Sequence, residues 1–203
     1  MLKNAGFSLV EALVVISITV VLTGILVVHS KTSEKQIIFF REQSILISAI
    51  LRAKAFSIET FQPELQPGLP TPSGANRVCG WGVYFDKAAS QVILFSDLAP
   101  GGGSASCTNA NTMYTPGLNE KFESITFDPS VIIDCVGVNP GAGQPCVPNF
   151  NQLNVTFVPP DPTIVFNPGT GGGEAVIVLK LNDPSQPRTS TIRISQAGQV
   201  GVN

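Results

Sequence analysis

The chain contains a single histidine, His29, and little charge of either sign: 12 Lys and Arg and 14 Asp and Glu make up 13% of its 203 residues. One imidazole beside an apolar run leaves almost no basis for His-dependent catalysis or a catalytic metal centre. A formal net charge of −2 gives no strong nucleic-acid signal. No two cysteines are spaced C-x-x-C, so Cys79, Cys107, Cys135 and Cys146 read as disulfide partners rather than zinc ligands. The glycine runs at 101–103 and 169–173 lack the Gly-Lys-Ser/Thr ending of a phosphate loop. Asp128, Asp134, Asp161 and Asp183 are scattered without calcium-loop spacing. No cofactor, no metal and no enzyme activity are expected.

Proline is missing from the first 62 residues, and only Gly6 and Gly24 of the 19 glycines fall there. All 16 prolines and the other glycines lie beyond, so the chain divides near Phe61 into a helix-compatible arm and a turn-rich domain.

The arm begins with 22 residues, 7–28, that are almost wholly apolar. As a helix they span roughly 33 Å, enough to cross a hydrocarbon core of about 30 Å. The run is longer than the apolar core of a secretory signal peptide and has no small-residue cleavage site after it. It also carries a carboxylate, Glu11, near its start. An acid within a membrane helix is costly and calls for a partner, yet no Lys or Arg occurs between Lys3 and Lys31. Cleavage after Gly6 would create an ammonium group on Phe7, one helical turn from Glu11.

Lys3, Asn4, Ala5 and Gly6, followed by Phe7, Ser8, Leu9, Val10 and Glu11, resemble the type IV prepilin signature: a short basic leader ending in Gly, a mature chain starting with Phe, and Glu at its fifth position. The resemblance implies cleavage between Gly6 and Phe7 by the prepilin peptidase and N-methylation of Phe7. It further implies packing of the helix with other pilin or pseudopilin subunits, with Glu11 neutralising a neighbour's terminal amine. Membrane lipid would surround the helix before assembly, and an inner-membrane assembly platform would be a further partner. Such a charge pair favours one axial stagger of the helices over others. Taken alone, Glu11 could instead be a membrane-edge carboxylate favoured by its own helix N-terminus.

Counting basic residues places the C-terminal side in the cytoplasm, because Lys31, Lys35 and Arg41 follow the helix and only Lys3 precedes it. The cysteines argue otherwise: all four follow the helix, in a Gly/Pro-rich region suited to an oxidising compartment. The expected location is a single-pass inner-membrane protein whose C-terminal domain lies outside the cytoplasm, entering an envelope filament after assembly.

Beyond residue 28 the arm becomes amphipathic, with Leu46, Ala49, Ile50, Ala53 and Phe56 on one stripe and Lys35, Glu42, Arg52 and Lys54 interleaved. The helix is expected to reach about Phe61, with Gly24 its one soft point. Strands are expected at 78–86, 91–97, 122–127, 131–136, 153–158, 163–166, 174–181 and 189–195, the first two as a hairpin. The GWGVYFD segment, EAVIVLKL and the terminal TSTIRISQAGQV are similar to those of minor pseudopilins of the GspH/FimT type. If the hairpin forms, the end of its second strand returns close to Cys79, which favours pairing Cys79 with Cys107 and Cys135 with Cys146. Trp81 reads as a core aromatic. The triplet Asn154-Val155-Thr156 matches a glycosylation acceptor but falls inside an expected strand.

The expected fold class is α+β and type IV pilin-like: a long N-terminal helix, membrane-spanning in its first half, packed against a small antiparallel β domain. The expected parts are a leader (1–6), a transmembrane and filament-core half-helix (7–28), an amphipathic half-helix (29–61), a connector (62–77) and an extracytoplasmic β domain (78–203). The expected function is a structural subunit, a minor pilin or pseudopilin, of a type IV pilus, a type II secretion pseudopilus or a related DNA-uptake filament. A membrane-anchored, β-rich binding module is the alternative.

Overall fold

The computed structural model describes residues 8–59, 78–99, 107, 110–138, 149–159, 163–169, 173–184 and 187–203; the side chains of residues 27–33 lie outside that description. Among the described residues a single helix, α1, runs over Leu9–Ile58. The absence of proline allows that length, and the last turn closes with the Glu59 N–H donating to Ala55 O at 2.9 Å. The chain separates into two compact units, Met1–Phe40 and Arg41–Asn203.

In the first unit, Leu9–Leu26 is long and apolar enough to cross a membrane. Every residue from Ser8 to Leu26 is exposed, as expected of a surface meant for lipid or for other helices.

The second unit joins the rest of α1 to two five-stranded antiparallel sheets. In chain order the strands are β1 (Val78–Asp86), β2 (Gln91–Leu98), β3 (Lys121–Thr126), β4 (Val131–Val138), β5 (Asn149–Phe150), β6 (Gln152–Val158), β7 (Thr163–Asn167), β8 (Glu174–Leu181), β9 (Thr189–Ser195) and β10 (Val200–Val202). One sheet has the order β3-β2-β1-β6-β7 and the other β10-β9-β8-β4-β5. This is an α+β architecture.

The β1–β2 hairpin runs in register from Asp86↔Gln91 to Gly80↔Asp97. Its turn is held by the Ala89 N–H donating to Asp86 Oδ1 (3.1 Å), with Ser90 taking a positive φ of 45°. Gly82 permits a close approach: a Cβ there would lie 2.5 Å from Phe95 Cζ and 2.9 Å from Val155 O. The other sheet has β8 and β9 paired from Glu174↔Ser195 to Lys180↔Thr189. Gly198, at φ 76°, turns the chain from β9 into β10.

The stripe Leu46, Ala49, Ile50 and Ala53 is buried, while Phe56 is half-buried. The Phe56 ring meets Trp81 edge-on at 4.9 Å and Phe122 at 5.6 Å, and Trp81 is a core residue. Three polar groups fasten this part of α1. Ser57 Oγ donates to Phe157 O (2.9 Å), Lys54 Nζ to Gly198 O (3.0 Å), and Arg52 Nη1 pairs with Glu123 Oε2 at 2.6 Å.

Glu42 departs from the expected polar face. It is only 6% exposed, because it stands one turn before Leu46 on the apolar stripe. Its carboxylate accepts the backbone N–H of Asp128; burial pushes the group above its ordinary range, Arg41 pulls it down and the charge of Asp128 raises it. Asp128 itself is held low, chiefly by the Ser130 hydroxyl and N–H that its Oδ1 accepts.

Candidate assembly site

Gly6 and Phe7, the expected cleavage and methylation residues, lie outside the described residues. Glu11 stands in the first turn of α1, where Ser8 O accepts both the Glu11 N–H (3.0 Å) and the Ala12 N–H (3.1 Å). The helix begins there with its positive dipole end beside a carboxylate, a favourable placement.

The other polar side chains between Glu11 and Leu26 are satisfied within the helix. Ser17 Oγ donates to Leu13 O (2.8 Å), Thr19 Oγ1 to Ile16 O (2.8 Å) and Val15 O (3.0 Å), and Thr23 Oγ1 to Thr19 O (2.7 Å). Hydroxyls bonded in this way present little unsatisfied polarity to lipid. Glu11 differs: it is exposed and, among the described residues, its carboxylate has no hydrogen-bond or ion-pair partner. The candidate site is therefore one exposed carboxylate in the first turn of an apolar helical segment.

In the second unit Cys79 and Cys107 form a disulfide with Cα atoms 5.3 Å apart. Cys135 is also disulfide-bonded; its expected partner, Cys146, lies outside the described residues. Asn154 is buried. Its Oδ1 accepts the Tyr114 N–H (2.9 Å) and its Nδ2 donates to Asn167 O (3.2 Å), leaving no room for a glycan. Among the described residues, no group of three or more His, Cys, Asp or Glu is placed to hold a metal.

A feature missed in the sequence is a pair of buried carboxylates, Asp97 at the end of β2 and Glu120 just before β3, each about 1% exposed. Asp97 Oδ2 accepts the Thr112 N–H (3.1 Å), Glu120 Oε2 the Thr115 N–H (2.6 Å) and Glu120 Oε1 the Leu98 N–H (3.5 Å). Asp97 Oδ1 is buried with no hydrogen-bond partner. The carboxylates are 23 positions apart, and only the β2–β3 pairing brings them together.

Residues 1–27 match the family model of the prokaryotic N-terminal methylation motif. The chain carries the prepilin-type motif. The match supports a type IV prepilin or pseudopilin family and a precursor processed by prepilin peptidase for assembly with other pilins. It describes a structural pilin-type segment rather than an enzyme family, and together with the apolar start of α1 it fits a membrane-anchored pilin. No curated protein and no solved structure matched the chain.

Proposed function

We propose that the chain is a minor pilin or pseudopilin, cut between Gly6 and Phe7, N-methylated on Phe7, and built into a type IV pilus, type II secretion pseudopilus or related DNA-uptake filament. The observation that carries this reading is the isolation of Glu11: a carboxylate without a partner among the described residues, one turn after the expected cleavage position, in an apolar segment where the hydroxyls of Ser17, Thr19 and Thr23 are bonded within the helix. The secondary ammonium of a methylated Phe7 on an adjacent subunit is a suitable counter-ion, and pairing it with Glu11 sets the stagger between helices. The finer placement among GspH/FimT-type minor pseudopilins is supported by the hairpin over GWGVYFD and by the β8–β9 pair.

A second surface favours the same role. Ser44, Ile47, Ser48, Leu51, Arg52 and Ala55 line an open groove along α1, on the side opposite the stripe that faces the sheets. Small residues there allow another helix to approach closely. The reading places the β domain outside the cytoplasm, consistent with its disulfides, and makes the inner-membrane assembly platform a partner.

Intact-mass analysis of protein recovered from membranes tests the proposal. The expected species begins at N-methylated Phe7. Glu11→Leu should still insert into the membrane yet be depleted from sheared filaments. Full-length chain starting at Met1 in cells with an active peptidase, together with unchanged incorporation of Glu11→Leu, supports instead a tethered binding module.

A further inference from the structure

The stretch from Ala110 to Glu120 between β2 and β3 is unusual in its backbone. Thr112, Gly117 and Asn119 have positive φ values of 54°, 97° and 58°, and a β-branched residue such as Thr112 rarely adopts that region. Such a conformation persists only when its surroundings over-determine it. Here the braces come from β2, β6 and the loop's own last residue: Asp97 holds the Thr112 N–H, Glu120 the Thr115 N–H and Asn154 the Tyr114 N–H, while Thr156 Oγ1 donates to Thr112 O (2.8 Å). The Tyr114 ring packs against Tyr84 at 5.2 Å and Phe95 at 5.8 Å. What the braced loop displays is uncharged, including the side chains of Met113 and Leu118.

Two of those braces are the buried carboxylates, and among the described residues no cation pairs with either. Opposite Asp97 in β1 stands Gly80, and β6 contributes only the uncharged Asn154 and Thr156. On β3, Lys121 is exposed and Glu123 pairs with Arg52 on α1. Residues 100–109, PGGGSASCTN, contain no charged side chain at all. Arg77, just before β1, lies outside the described residues. Three N–H groups point at the pair, a donor set suited to a carboxylate and unsuited to a metal cation. Asp97 Oδ1, the one oxygen left without a partner, is where a bound proton would reside.

We propose that Asp97 binds a proton beside an ionised Glu120 and that the two act as an acid-closed latch on the 110–120 loop. With the proton present, the buried pair carries a single negative charge, spread over three N–H donors. Without it, two negative charges face each other in a site closed to water, and the loop is released to hydrate them. Consistent with this, burial and then the charge of Glu120 push Asp97 up to about 7, and burial raises Glu120 as well.

The test uses the full chain in detergent micelles. Amide exchange of Thr112 and Thr115, corrected for the intrinsic rate, should lose protection by about tenfold per pH unit above the ordinary carboxylate range and level off near neutrality. Asp97→Asn keeps an oxygen for the Thr112 N–H and carries no charge, so the loss of protection that continues up to neutrality should disappear, leaving only what Glu120 contributes at lower pH. Should that variant not fold, the 13C-carboxyl shift of Asp97 in the unaltered chain decides, with a midpoint near neutrality expected. A midpoint in the ordinary carboxylate range, or the same exchange profile in Asp97→Asn, overturns the proposal. So does an Arg77→Gln variant that moves the midpoint as far as Glu120→Gln does, since the charge balance would then belong to that guanidinium.

Discussion

Asn154 accepts a hydrogen bond from the main chain of Tyr114, forty residues away, at 2.9 Å. The same side chain donates to Asn167 O on β7, so one amide ties the loop before β3 to the edge of its sheet. Replacing it with Ala strands a part-buried N–H and a part-buried carbonyl, and a loss of about 1–3 kcal/mol is expected in denaturant unfolding. In a host that glycosylates secreted proteins, the mass of the β domain should show no glycan at this position.

The Cys79–Cys107 disulfide closes a loop over a sequence separation of 28 residues. Replacing both cysteines with Ala should cost about 2–4 kcal/mol, measured as a lowered unfolding midpoint under non-reducing conditions. Peptide mapping without reductant should recover a linked 79–107 peptide. A 79–135 link would contradict the hairpin register.

Gly82→Ala should destabilise the domain by about 1–3 kcal/mol, because the new methyl meets the Phe95 ring and the Val155 carbonyl within 3 Å. Gly24→Ala is the control: nothing lies within 4 Å of its added methyl, and helix propensity there improves. Melting temperatures of the two variants in the same detergent separate the effects.

Stability should fall as pH rises. Glu42, Asp97 and Glu120 are all held above their ordinary values, mainly by burial. The folded chain therefore binds more protons than the unfolded chain between the ordinary carboxylate range and about pH 7, and loses stability across that window. Asp128 works the other way: its stabilisation is present above the ordinary Asp value and is lost as pH falls through its lowered one. Calorimetry should give a higher midpoint at about pH 5.5 than at about pH 8. Glu42→Gln, which keeps an acceptor for the Asp128 N–H, should narrow the difference.

Much of the β domain was legible because its strands are bounded by turn residues and rich in β-branched side chains: β1, β8 and β9 coincide with the expected segments 78–86, 174–181 and 189–195. β5 and β10 were missed because two or three residues carry no periodicity, and β10 is centred on Gly201. Helix α1 ends at Ile58, three residues before the expected stop. The signal for Glu42 was present, since positions 42, 46, 49, 50, 53 and 57 share one face, but a charged residue on an apolar stripe was read as part of the polar side. Asp97 and Glu120 gave no local signal, because their meeting depends on a strand pairing. The reading of Glu11 rests on its neighbours in sequence alone.

The fastening of α1 by Arg52, Lys54 and Ser57 also has a mechanical meaning. Within six residues the helix grips Glu123 on the edge strand β3, Phe157 on the interior strand β6 and Gly198 in the turn of the other sheet. Tension reaching the domain along this helix is divided at once among three elements in two sheets. Within the second unit, pulling residues 52–57 of α1 away from the sheets therefore breaks bonds to three elements rather than to one strand.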